Sequence, residues 1–154
     1  MKKLFVSIPL KGRSKKEIED SLDKIKEAAE GLLGEKVDLL HQEPKDVPEF
    51  TKDDENAKEA LKFLSKDLDL MADADYFATI DCNWEYRHCE IEESIFRRYF
   101  LKSDYQEAKD VILHFPTQLV CPDVAKKERE RAKELWGKDA LPEVASADSD
   151  ENKD

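Results

Sequence analysis

Short runs of β-branched and aromatic residues alternate along this chain with longer segments of helical period, and that alternation leaves few folds open. Residues 4–8, 37–40, 76–80 and 111–115 have the length and composition of buried strands. Between the first two, Ser14 and Glu17 stand three apart as a capping box, and Ile18, Leu22, Ile25 and Ala29 follow at helical spacing. That helix is expected to stop near Gly31 or Gly34. A second helix is predicted over 55–72, a third over 89–101 and a charged one over 124–136. Residues 44–54, with two prolines and many charges, read as a loop. Strands that alternate with helices predict an α/β domain with a flavodoxin-like or Rossmann-like parallel sheet of four or five strands and helices on both faces. The expected order is 2-1-3-4, with residues 118–121 as a short fifth strand.

A chain of 154 residues is enough for one buried core. The domain is expected to span 1–141, followed by an acidic tail over 142–154 with too little to bury for folding. In that tail Glu143, Asp148, Asp150, Glu151 and Asp154 face only Lys153. The formal net charge of -11 argues against a nucleic-acid polymer or an anionic membrane as partner, because both demand clustered Lys and Arg. It leaves room for one small anionic ligand held by local donors. The apolar run at the N-terminus breaks at Pro9, too early for a signal peptide, and no stretch has the length of a membrane span. Cys82, Cys89 and Cys121 are odd in number and lack C-x-x-C spacing, which predicts reduced thiols in a cytoplasmic protein.

Two carboxylates fall where a carboxylate is costly. At about 100° per residue, Ile91, Ile95, Phe96, Tyr99 and Phe100 share one arc of the third helix, and Glu92 lies near its middle. Glu93 has Arg97 four residues on, the spacing of a solvated pair, whereas Glu92 has Phe96 there. In the second helix Ala60, Leu61, Leu64, Leu68 and Met71 form the apolar stripe, and Asp67 lies inside it. Each acid alone is explained by an edge position, by water, or by backbone N–H groups. Two together predict a polar cavity where helices meet sheet, since an unpaired buried carboxylate costs several kcal/mol. Ligands of open parallel sheets bind outside the carboxyl ends of the strands. The loops 9–13 and 81–88 lie there, and the second leads into Glu92.

The stretches Ser7-x-Pro9-Leu10-x-Gly12, Lys66 through Asp75, and Arg87-His88-Cys89-Glu90-Ile91-Glu92 resemble the nucleoside 2-deoxyribosyltransferase family. The likeness is greatest to its small bacterial and phage members, with some likeness to the 2'-deoxynucleoside 5'-phosphate N-hydrolases, and covers residues 2–101. It implies that Glu92 is the nucleophile and that Asp67 assists by orienting the sugar or protonating the departing base. Ser7, Pro9, Leu10, Gly12, Arg13, Asp81, Arg87 and His88 are the substrate-binding positions it implies, with Arg13, Arg87 or His88 holding a 5'-phosphate. The implied reaction cleaves or transfers the N-glycosidic bond of a nucleoside or nucleotide through a glycosyl-enzyme ester. A homo-oligomer is implied as well. His88 stands where the family has glycine, and Leu10 where it has methionine. Two alternatives stay open: a catalytically weak nucleotide-binding or sequestering protein on the same fold, and an interaction protein that works through its acidic surface. His41 follows a strand and His114 lies near the end of one, without ligand-like spacing, so neither a metal nor a cofactor is expected.

Overall fold

The structure, a computed structural model, describes residues 1–44, 57–101 and 105–137. Strands β1 (Lys2–Val6), β2 (Val37–Leu40), β3 (Tyr76–Ile80) and β4 (Ile112–Phe115) form one sheet in the order β2-β1-β3-β4. All three pairings are parallel, with Leu4 opposite both Leu39 and Tyr76, and Phe77 opposite Ile112. The flavodoxin-like α/β class and the predicted strand order therefore hold. Residues 45–56, within the expected loop and the start of the second helix, lie outside the described residues, as does the expected tail 142–154.

Six helices accompany the strands among the described residues: α1 (Lys15–Leu33), α2 (Ala57–Met71), α3 (Arg87–Phe100), α4 (Tyr105–Val111), α5 (Thr117–Val120) and α6 (Pro122–Trp136). The cap of α1 is the predicted one: Ser14 Oγ accepts from the Glu17 amide, and Glu17 Oε1 accepts from the Ser14 amide. The helix runs through Gly31 and stops at Gly34, whose φ of 71° is the left-handed geometry glycine allows. None of the described helices is long and apolar enough to cross a membrane.

The pleat sorts the strand residues into two layers. Leu4, Val6, Ala78, Ile80, Leu113 and Phe115 pack with Ile18, Ile25 and Ala29 of α1 and with Val120 and Val124 near the C-terminal end. Phe5, Phe77 and Ile112 face the other way and meet Met71 of α2 and Phe96 of α3. The rings of Phe5, Phe77, Phe96 and Phe100 follow one another at centroid separations of 5.6, 5.0 and 4.4 Å, which anchors α3 on that layer. By the same alternation Ser7, two residues past Phe5, belongs to the α2–α3 side.

Three expectations change. Residues 118–121 are no fifth strand. They fall in α5 and its C-cap, because Thr117, Val120, Cys121, Val124 and Ala125 are buried at helical rather than alternating spacing. In α2 the stripe is rotated: Leu61 is 64 % exposed, and Phe63, Asp67 and Met71 are the buried residues. In α3, Tyr99 is 82 % exposed and Cys89, Glu92 and Phe96 are buried. Both rotations place the two carboxylates at the centre of their buried faces.

Candidate functional site

β1 ends at Val6, but the Ser7 amide still donates to the Ala78 carbonyl at 3.0 Å, so Ser7 is held at the carboxyl edge of the sheet. Its side chain meets the first turns of α3. Ser7 Oγ donates to Glu92 Oε1 at 2.7 Å, a contact buried from solvent and 85 residues apart in sequence. Glu92 is 1 % exposed and Asp67 5 %. Burial pushes the Glu92 carboxyl well above the usual carboxylate range; hydrogen bonding with Asp67 and repulsion from it push the same way, and the Ser7 hydroxyl opposes them. Glu92 Oε2 has no donor among the described residues. Asp67, itself a carboxyl, provides one only when the pair holds a proton. A Glu92 carboxyl raised beside Asp67 is an arrangement in which Glu92 keeps its proton more readily than an ordinary carboxyl does.

Two amides connect the pair to the surface. Gln42, just past β2, donates through Nε2 to Asp67 Oδ1 at 2.8 Å and to the Phe63 carbonyl at 3.0 Å. It also lines a groove of about 530 Å³ with His41, Lys66 and Asp69. Asn83, in a 3-10 turn (Asn83–Glu85) after β3, donates through Nδ2 to the Ser7 carbonyl and to Thr79 Oγ1, both at 2.7 Å. Asn83 lines a second cleft of about 520 Å³ at the ends of β3 and β4, with Asp81, Trp84, Glu90 and His114. Its Oδ1 is buried without a donor among the described residues. Gln42 thus joins Asp67 to the first depression, and Asn83 joins the Ser7 backbone to the second.

His88 fills the corner beside them. Its Nε2 lies 3.1 Å from the Ile8 carbonyl and 3.4 Å from Cys89 Sγ, and its ring stands edge-on to Phe63. Burial lowers its pKa, with the Ile8 carbonyl opposing, so the imidazole is neutral and donates to that carbonyl. Burial also raises the Cys89 thiol well above its ordinary value. A His88 ring nitrogen, Cys89 Sγ and a Glu92 carboxylate oxygen lie within 4.8 Å of one another.

The structure brings Ser7, Asp67, Glu92 and His88 together. The other predicted positions make contacts of their own or face solvent. Leu10 is buried in the α1 layer. The Pro9 carbonyl accepts from Arg13 Nη1 at 2.9 Å, and the Gly12 carbonyl accepts from Lys127 Nζ at 2.8 Å. Arg13 spends its guanidinium on structure: Nε and Nη2 each donate to Asp123 at 2.8 Å, and Nη2 reaches Ser21 Oγ at 2.6 Å. Asp81 and Arg87 are exposed, Asp81 on the second cleft. Gln42, Asn83 and Cys89 were not singled out from sequence. The first two stand two and three residues past predicted strands, at the sheet edge where ligands of such folds bind, which is the signal that points to them. Comparison of the chain with protein-family models, curated proteins and solved structures returned no match.

Proposed function

We propose that this chain handles a nucleoside or nucleotide at the carboxyl edge of its sheet and cleaves or transfers its N-glycosidic bond, with Glu92 as nucleophile. The observation that carries this reading is the buried Ser7–Glu92 hydrogen bond with Asp67 facing the same carboxyl. A pair that holds one proton offers both things the reaction needs. The proton held on Glu92 passes by way of Asp67 to the departing base, and the Glu92 oxygen so ionised attacks the anomeric carbon as the carbon–nitrogen bond breaks. Ser7 fixes the nucleophile's rotamer, and Gln42 fixes Asp67. Water or an incoming base then attacks the glycosyl ester and frees the Glu92 carboxylate. A second copy of the chain completing the site belongs to the same proposal, and a particle mass in solution tests it.

Base release from a panel of deoxynucleosides and deoxynucleoside monophosphates tests the reading. Glu92→Ala is expected to remove nearly all turnover from a folded protein, and Asp67→Asn to be severe but less complete. Absence of base release across the panel, with the protein folded, defeats it.

One observation favours a second reading, a nucleotide-binding protein of little catalytic power. The His88 ring lies against the Ile8 carbonyl beside a nearly inaccessible Glu92, so a sugar reaches the nucleophile only if a side chain moves. His88→Gly separates the two. A gain of glycosidase activity assigns the natural protein to binding, and loss of an existing activity assigns the imidazole to turnover.

A further inference from the structure

The first turns of α3 bring an imidazole, a thiol and a carboxyl to one point beneath the sheet edge. His88 and Glu92 stand four apart, and Cys89 and Glu92 three apart, so the three are neighbours on one helix, Cys89 and Glu92 buried and His88 half-buried. Their ligating atoms fall within 4.8 Å, and the nitrogen–sulfur separation is 3.4 Å. Tetrahedral zinc, with bonds of about 2.1 Å to nitrogen or oxygen and about 2.3 Å to sulfur, holds its ligands roughly 3.4–3.6 Å apart. The nitrogen–sulfur edge of the required triangle is already at that length, and no two of the three ligating atoms are more than 4.8 Å apart. A second observation is compatible with an occupant: Glu92 is 1 % exposed, and apart from a proton shared with Asp67 its Oε2 has no donor among the described residues, so a cation there would satisfy both acids at once.

We propose that His88, Cys89 and Glu92 form a binding site for a zinc-like divalent cation, with Asp67 or a water molecule as the fourth ligand. The mixed sulfur, nitrogen and oxygen donor set selects zinc or a neighbouring transition metal over magnesium or calcium, which take oxygen ligands. Binding releases the Cys89 thiol proton and any proton held on Glu92, and the thiolate and carboxylate neutralise the ion's two charges. His88 gives up its bond to the Ile8 carbonyl, its ring proton moves from Nε2 to Nδ1, and the freed Nε2 lone pair turns to the metal. The site itself stands without the glycosidase reading. Its consequence rests on that reading: a cation on Glu92 occupies the nucleophile and stops turnover, so metal availability becomes a switch.

The test uses the full chain, reduced and freed of metal with a chelator, and titrated with Co²⁺. A thiolate-to-cobalt charge-transfer band, saturating at one ion per chain and lost on adding Zn²⁺, is expected. Cys89→Ser should abolish that band while Cys121→Ser, elsewhere in the core, should leave it in place. His88→Ala should weaken Zn²⁺ binding roughly tenfold or more, measured against a chromophoric chelator. Circular dichroism establishes that each variant is folded. Absence of a thiolate band from the folded wild type, or its survival in Cys89→Ser, overturns the proposal. Should no nucleoside be cleaved at all, the cobalt spectrum still decides the metal site. If nucleosides are cleaved, turnover that persists with the site filled removes Glu92 from the ligand set.

Discussion

Asp123 meets a guanidinium, Glu92 meets a hydroxyl and a second carboxyl, and the two groups shift in opposite directions. Burial alone would raise Asp123; the two-pronged Arg13 contact outweighs it and leaves the carboxyl below its ordinary value. Arg13 is 1 % exposed at its side chain, so Asp123→Asn strands a buried cation and should cost about 3 kcal/mol in urea unfolding at neutral pH. The sign with pH follows from the depressed folded value. The pair's contribution is full above the unfolded pKa of about 3.9 and is lost as the pH falls through the lower folded value. The gap between wild type and Asp123→Asn should therefore narrow below about pH 4, and a gap that stays constant there refutes the assignment. Glu92→Gln is the contrasting case. Its amide still accepts from Ser7 and donates to Asp67, so stability should change by less than about 1 kcal/mol while base release disappears. A large loss of stability would make Glu92 part of the framework instead of a reacting group.

The ladder of Phe5, Phe77, Phe96 and Phe100 decides how firmly α3, and with it Glu92, is seated. Phe96 lies in its middle and is buried, so Phe96→Ala should cost about 3–5 kcal/mol. Ser14→Ala, at the α1 cap, should cost only about 1 kcal/mol, and thermal or urea unfolding of the pair ranks the two elements. Strands, the α1 cap and the two out-of-place acids were legible because each leaves a periodic trace within a few residues. The fifth strand misled because 118–121 is short and apolar. Only the longer run through Thr117, Val120, Cys121 and Val124 shows the helical period. The α2 stripe was read through Leu61, since Leu is the usual core residue, but Phe63 is the one that packs. Arg13 looked like a ligand for phosphate because nothing local to it predicts Asp123, 110 residues away. Gln42 and Asn83 were not singled out for a similar reason: an amide is ordinary in a loop until its partner from another element is known.

At the scale of the molecule, the candidate site exists only because four separated segments meet. Ser7 comes from the end of β1, Gln42 from the end of β2, Asp67 from α2 and Glu92 from α3. No subset of these elements places both carboxyls, and the unfolded chain retains no such site, so a ligand bound there stabilises the native state alone. At a free concentration a hundredfold above its Kd, such a ligand contributes about 2.7 kcal/mol. For a domain of this size that corresponds to a rise in Tm of roughly 5–10 °C. A thermal scan with deoxynucleosides and their 5'-monophosphates should show that shift for at least one member, and in Glu92→Ala as well as in wild type, because binding does not require the nucleophile. A shift in both proteins with base release only in wild type supports the glycosidase reading. A shift in both with release in neither assigns the molecule to binding. No shift from any nucleoside or nucleotide at millimolar concentration removes the nucleoside from the account and leaves the buried acids as a feature of the core.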